Sequence, residues 1–197
     1  MKYAIFDLES DGLYDDVTKI HCLAYRLYDD GELLYEDHIT NYNEMKEFFN
    51  NNEVLVGHNI IRYDIPVAEK ILGIKIKSRL IDTLPLSWYL YPMKTRHSLE
   101  QWGDDLGVKK PEIKDWKHLS VEEYIHRCKT DVKINELLYE LLSQYLLEVY
   151  ERDEVAIDSF IKYISFKMDC AREQEFVKCK LDKELIDKSL EELYEMR

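Results

Sequence analysis

The alternation of apolar and polar positions sets the first expectation. Short apolar runs at 3–8, 20–27 and 32–39, the last two joined by Asp29-Asp30-Gly31, predict three antiparallel strands at the start of the chain. Residues 44–50 fit a short helix, 54–57 a buried fourth strand, 64–72 a helix and 79–82 a fifth strand. From there the period lengthens. Residues 83–91 and 98–106 fit helices, and 121–149 carries Val121, Ile125, Cys128, Val132, Leu138, Leu141 and Tyr145 close to helical spacing. Strands that give way to alternating helices and strands predict an α/β fold with a mixed sheet. Residues 151–197 hold no strand signal, two helical stretches at 156–173 and 182–196, and a dense charge mixture. No repeat or Gly/Ser linker marks a boundary, so the expected organisation is a domain over 1–150 with a C-terminal helical appendage over 151–197.

Composition narrows the class. A length of 197 residues suits one domain with a short appendage, and 46% hydrophobic residues with only 6 Gly and 4 Pro describe an ordered globular protein. The opening apolar run is too short for a signal peptide, and no stretch reaches the roughly 18 apolar residues of a membrane span. A cytoplasmic protein with no membrane partner is expected. Cys22, Cys128, Cys170 and Cys179 are far apart without C-x-x-C spacing, and read as reduced thiols. The net charge of −13 argues against bulk electrostatic coating of nucleic acid or membrane, and leaves room for a small nucleic-acid site.

The acids carry the candidate chemistry. Asp7-Leu8-Glu9 closes the first apolar run. The same spacing recurs at Asp30, in a turn, and at Asp182, at a helix start where the dipole favours acids, so the Asp7 pair is the one that interrupts a core strand. Residues i and i+2 of a strand share a face, and two such carboxylates repel unless a cation lies between them; hard divalent ions prefer these ligands. A solvated strand end is the alternative. Residues 56–66, VGHNIIRYDIP, read as strand, polar turn and helix, where a lone Asp64 would be a helix cap. Asp131 lies at the edge of the long apolar stripe, three residues after Cys128. A cation held jointly by Asp7, Glu9, Asp64 and Asp131 would give that partly buried acid a partner.

Taken in order, Asp7-x-Glu9, Asn59-x-x-x-Tyr63-Asp64 and His126-x-x-x-x-Asp131 resemble the three motifs of the DEDD 3′→5′ exonucleases, whose fold is ribonuclease-H-like. HNIIRYDIP, IDTLPLS, and RHSLEQWGDDLGV followed by KKPEIKDW resemble more narrowly the proofreading domain of A-family DNA polymerases of short-tailed phages. The tail LDKELIDKSLEELYEMR resembles the segment that leads from exonuclease to polymerase there, so the resemblance covers nearly the whole chain. One position departs. A tyrosine stands four residues before the last Asp in the phage pattern, whereas here that position is Arg127 and His126 precedes it, which moves the pattern to the histidine subclass.

The resemblance implies a five-stranded mixed sheet flanked by helices and a two-metal hydrolysis. Asp7, Glu9, Asp64 and Asp131 would hold two Mg²⁺ or Mn²⁺ ions, with Asp7 bridging them, and the product would be a nucleoside 5′-monophosphate. His126 would be the general base, a role suited to a group with an ordinary pKa of about 6.5; Tyr124 is set aside as part of the apolar stripe. Asn59 would position sugar or phosphate and Leu13 would wedge against a base, although Leu13 equally suits a loop anchor. His58, His97 and Arg96 could touch phosphate, with a packed, hydrogen-bonded role as the alternative for His58. Trp88 and Trp102 read as core, and Trp116, in a Lys-rich loop, as a base-stacking residue. The implied partner is a single-stranded DNA 3′ end, in proofreading or in replication and repair. The alternatives are an RNA exonuclease and a module docked on a separate DNA polymerase chain, in the host cytoplasm if phage-encoded. Residues 61–120 carry a net charge of +3, against −9 before and −7 after, so the substrate strand is expected near Lys75, Lys77, Arg96, Lys109, Lys110 and Lys114.

Overall fold

A computed structural model describes residues 2–111, 113, 119–178 and 180–196. Its elements run β1 (Tyr3–Ser10), β2 (Ile20–Asp29), β3 (Glu32–Ile39), α1 (Tyr42–Asn51), β4 (Val54–Gly57), α2 (Asp64–Leu72), β5 (Arg79–Asp82), α3 (Thr83–Leu90), α4 (Leu99–Leu106), α5 (Val121–Val149), α6 (Glu154–Val177) and α7 (Lys183–Glu195). The five-stranded sheet has the order β3-β2-β1-β4-β5. β1, β2 and β3 form an antiparallel meander, while β4 lies parallel to β1 and β5 parallel to β4. Parallel neighbours need a crossover, and α1 and α2 supply the two. The result is the α/β, ribonuclease-H-like mixed sheet.

β1 shows how the layers arise. Successive side chains of a strand point to opposite faces. Ala4, Phe6 and Leu8 enter a core with Met45, Phe48 and Phe49 of α1 and Ile65, Ala68 and Leu72 of α2. Ile5 enters the opposite core with Leu86, Trp102 and the α5 residues Cys128, Val132, Ile134 and Leu138. Asp7 and Glu9 continue the Ile5 series, so both acids face α5. The strand runs past Leu8, where the apolar run stops, because Glu9 still pairs with Cys22 before the register shifts at Ser10.

Side-chain caps account for the other boundaries that differ. α1 starts at Tyr42 because the Asn41 side chain accepts the N–H groups of Asn43 at 2.8 Å and Glu44 at 3.3 Å. α6 starts at Glu154 because Asp153 accepts those of Val155 and Ala156, both at 3.0 Å. α6 belongs to both cores: Ile161 and Ile164 join the α5 side, Met168 joins the other, and Ser165 Oγ donates to Leu80 O at 3.2 Å. It thereby covers the open edge at β5, where unpaired strand groups would otherwise invite another chain. α7 buries no residue.

Trp102 is in the core, as expected, whereas Trp88 is 39% exposed. α3 packs on α5 and α6 and turns Trp88 and Tyr89 outward. Lys75 and Lys77 also differ from expectation. They precede the start of β5, at the opposite end of the parallel strands from Asp82 and Gly57, where the site forms. Trp116, Lys114 and Cys179 lie outside the described residues. Among the described residues no helix is long and apolar enough to cross a membrane.

Candidate active site

Three acids meet where β1 passes under α5. One carboxylate oxygen each from Asp7, Glu9 and Asp131 lies within 4.8 Å of the others. Cys128, just under one turn before Asp131, fixes the helix on the strand: its thiol donates to Asp7 O at 3.2 Å and approaches Asp7 Oδ2 at 3.5 Å. Asp131 is 5% exposed, and its Oδ1 has no hydrogen-bond partner among the described residues. Its Oδ2 lies 2.7 Å from Lys110 Nζ, and Arg127 Nε lies 2.9 Å from Glu9 Oε1. Asp64, the first residue of α2, is buried beside this cluster. It stands next to the three-oxygen set without being a member.

Crowding of like charge in a buried place holds these groups toward their neutral forms. Burial, then the charges of Asp131, Asp64 and Glu9, push Asp7 well above the usual carboxylate range. Burial, then Asp82, push Asp64 up to about 8. Burial also raises Glu9 against the pull of Arg127, and Asp131 against that of Lys110. A dense set of oxygen donors with an unpartnered buried oxygen suits a hard divalent cation, which would stabilise all four as carboxylates.

The turn between β4 and α2 is held from below by Asp82. Its carboxylate accepts Asn59 N at 2.7 Å, Ile61 N at 3.1 Å and, as the cap of α3, Leu84 N at 3.1 Å. Burial raises its pKa to about 6 despite those donors. The turn is tight at Gly57, where an added Cβ would lie 2.1 Å from Ile60 Cγ2, and Asn59 takes φ +65°. Asn59 Oδ1 is buried with no hydrogen-bond partner among the described residues. Thr83, behind the turn, donates to Asn135 Oδ1 at 2.6 Å and lies 2.9 Å from His58 Nδ1. Burial lowers the His58 pKa to about 3, so it is a neutral, packed imidazole. His97 is likewise held, by Ser87 Oγ at 2.8 Å and Lys94 O at 2.9 Å.

Leu13 is 75% exposed on the β1–β2 loop. It lines a hollow of about 370 Å³ with Tyr14, Asn59, Arg62, Tyr63 and Phe176. The hollow adjoins the acids through Tyr63, which precedes Asp64 and whose hydroxyl donates to Gly12 O at 2.7 Å and shares a hydrogen bond of 2.6 Å with Ser10. Its far wall is the end of α6: Phe176 stacks on Tyr14 at 4.5 Å, and Glu175 forms an ion pair with Arg62.

The structure does not bring His126 to the acids in the way it brings Asp131. α5 starts at Val121, so His126 already sits on a regular helix, about 140° around the axis from Asp131, and its side chain is exposed. Arg127 lies only about 40° away and reaches Glu9. Tyr124, two turns before Asp131 and about 20° from it, shares the same face; it stacks on His21 at 3.9 Å and feels the charge of Glu9. Lys110, Arg127, Asp82 and Tyr124 are thus the site residues that sequence reasoning missed or set elsewhere. Spacing from Asp131 could have found Arg127 and Tyr124, and Asp82 stood out as an acid closing an apolar strand. Nothing in the sequence pairs Lys110 with Asp131.

No protein-family model matches the chain. In sequence it is 29% identical over 139 residues to the DNA-directed DNA polymerase of Enterobacteria phage T3, a match covering 56% of this chain and only 20% of that polymerase. In fold it is similar to NrnC of Brucella melitensis with bound Mg²⁺, at a TM-score of 0.62 and 17% identity over 91% of this chain and 89% of that one. The same protein bound to pGG gives 0.61, 16%, 91% and 89%. Exonuclease I of E. coli in complex with a dT13 oligonucleotide gives a TM-score of 0.54 at 10% identity, over 76% of this chain and 42% of that one. The acids of β1, α2 and α5 therefore sit on a fold shared with ribonuclease-H-like exonucleases, in a chain whose sequence resembles part of a phage DNA polymerase.

Proposed function

We propose that the chain is a metal-dependent 3′→5′ exonuclease that removes nucleoside 5′-monophosphates from single-stranded DNA 3′ ends, in proofreading or in DNA replication and repair. The observation that carries the reading is the meeting of Asp7, Glu9 and Asp131 within 4.8 Å, with Asp131 Oδ1 buried and unpartnered among the described residues. With Asp64 beside them, these residues would hold two Mg²⁺ or Mn²⁺ ions, which when bound activate water and stabilise the leaving 3′ oxygen. Asp7, on which the charges of the other three acids act, would be among the ligands of these ions. Asn59, which lines the hollow beside the acids, would position sugar or phosphate. Leu13 would press on the terminal base. The likeness of sequence to a DNA polymerase favours a DNA substrate.

His126 is kept as the general base on chemistry rather than on position, since an imidazole exchanges protons near neutral pH and the raised pKa of Tyr124 makes it a poor acceptor. Replacing His126 by Ala should slow turnover about 10²-fold. Unchanged turnover would pass the role of orienting the water to Tyr124, which has the better position.

The deciding assay is cleavage of a 5′-labelled mismatched primer by the purified chain, with and without Mn²⁺. Stepwise shortening from the 3′ end that needs Mn²⁺ supports the reading. An intact primer, not rescued by an added DNA polymerase chain, ends it. A ribonucleic substrate is the second reading, favoured by the fold likeness to NrnC, which has been solved bound to pGG. Matched DNA and RNA oligonucleotides decide between the two by relative kcat/KM.

A further inference from the structure

Lys110 places a positive charge of the protein's own where the acids call for a metal ion. Gly107 ends α4 at φ +77°, and Val108 N–H closes onto Gly103 O at 2.8 Å. Val108 packs against the α5-side core, and two residues on the Lys110 side chain is only 16% exposed, with Nζ 2.7 Å from Asp131 Oδ2. Its charge also pulls down on Asp7 and Glu9 against their burial. Arg127 pairs similarly with Glu9, but from the rigid body of α5. Lys110 follows a helix end and carries its charge on a flexible four-carbon stem, so it can leave.

A divalent cation that takes Asp131 repels an ammonium at ion-pair distance from the same carboxylate. We infer that Lys110 is the resident counter-ion of the acid cluster, competing with a divalent cation for Asp131, and that the displaced ammonium is taken up by a phosphate of the substrate. The second half rests on the nuclease reading; the first does not. The consequence is linkage. Phosphate should tighten metal binding, and metal should tighten phosphate binding by the same factor.

The test is a calorimetric Mn²⁺ titration of the full chain, with and without thymidine 5′-monophosphate, which offers a phosphate and no bond to cut. In the wild type the nucleotide should tighten Mn²⁺ binding several-fold. Lys110→Met should bind Mn²⁺ about tenfold tighter without nucleotide and lose the coupling, whereas Lys110→Arg, which keeps the charge, should stay close to wild type. Thermal melting of each variant checks that it folds. Equal Mn²⁺ affinity in wild type and Lys110→Met overturns the competition, and coupling retained in Lys110→Met overturns the phosphate role. If Lys110→Met binds Mn²⁺ tighter while the wild type cuts no oligonucleotide, the nuclease reading fails and the counter-ion role stands.

Discussion

Asp7 is the residue on which the charges of the site converge. Half-buried among Asp131, Asp64 and Glu9, it is held toward its neutral form in the absence of a cation, so its carboxylate costs stability that bound metal would return. Asp7→Asn removes that repulsion at nearly constant shape. The variant should lose cleavage altogether and also lose the rise in melting temperature on adding Mn²⁺. Its metal-free melting temperature should increase, at about 2–4 °C for each kcal/mol of relieved repulsion. Calorimetric melting with and without Mn²⁺ checks both halves; a drop in the metal-free value would mean that Asp7 is a structural hydrogen-bonding residue. The pairing of Asp7 with Glu9 was legible because strand alternation is rigid. That of Lys110 with Asp131 was not, because it depends on how the chain leaves α4, and a loop path leaves no period in the sequence.

At the scale of elements, the site depends on three joints: β1 under α5, the start of α2, and the β4–α2 turn seated on Asp82. The first was readable from the sequence, since Cys128, Val132 and Leu138 mark the buried face of α5 and Asp131 lies at its margin. His126 was assigned by resemblance against that same periodicity: with the helix starting at Val121, as the spacing predicts, an i to i+5 pair lies about 140° apart, and the Ser120 cap holds that start. The Ser120 side chain and Glu123 satisfy each other's main-chain N–H groups there, which fixes the first turn. The third joint gives a test. Asp82→Asn replaces a buried acceptor of three main-chain N–H groups by an amide whose own hydrogens oppose them, at a cost of about 1–3 kcal/mol. The variant should melt lower and lose kcat/KM, because Asn59 and Asp64 flank the loosened turn. If activity stayed intact while stability dropped, the turn would hold the fold without positioning the site.

Across the whole molecule the acids tilt stability with pH, and the sign follows from the direction of their shifts. Asp64, raised to about 8 in the folded chain, binds its proton more tightly than in the unfolded chain, where an aspartate titrates near about 3.9. Its contribution is therefore greatest in acid and is lost as pH rises through its folded pKa. Asp82, raised to about 6, adds the same tendency lower in the range. From about pH 7.5 to 8.5 the opposing contribution of His58 has faded: lowered to about 3 by burial it is neutral in the folded chain, and the unfolded chain gives up the same proton at about pH 6.5. Asp11 stays ionised there: desolvation raises it, but the hydrogen bonds from Thr18 and Lys19 together outweigh that and bring it to about 2. With chelator present, the melting temperature should fall steadily over that interval. Mn²⁺ binds the deprotonated acids, so it should raise the melting temperature most at the alkaline end and flatten the slope. A melting temperature that rose with pH under chelator, or an Mn²⁺ effect equal at both ends, would show that these acids are already ionised and balanced by Lys110 and Arg127 alone.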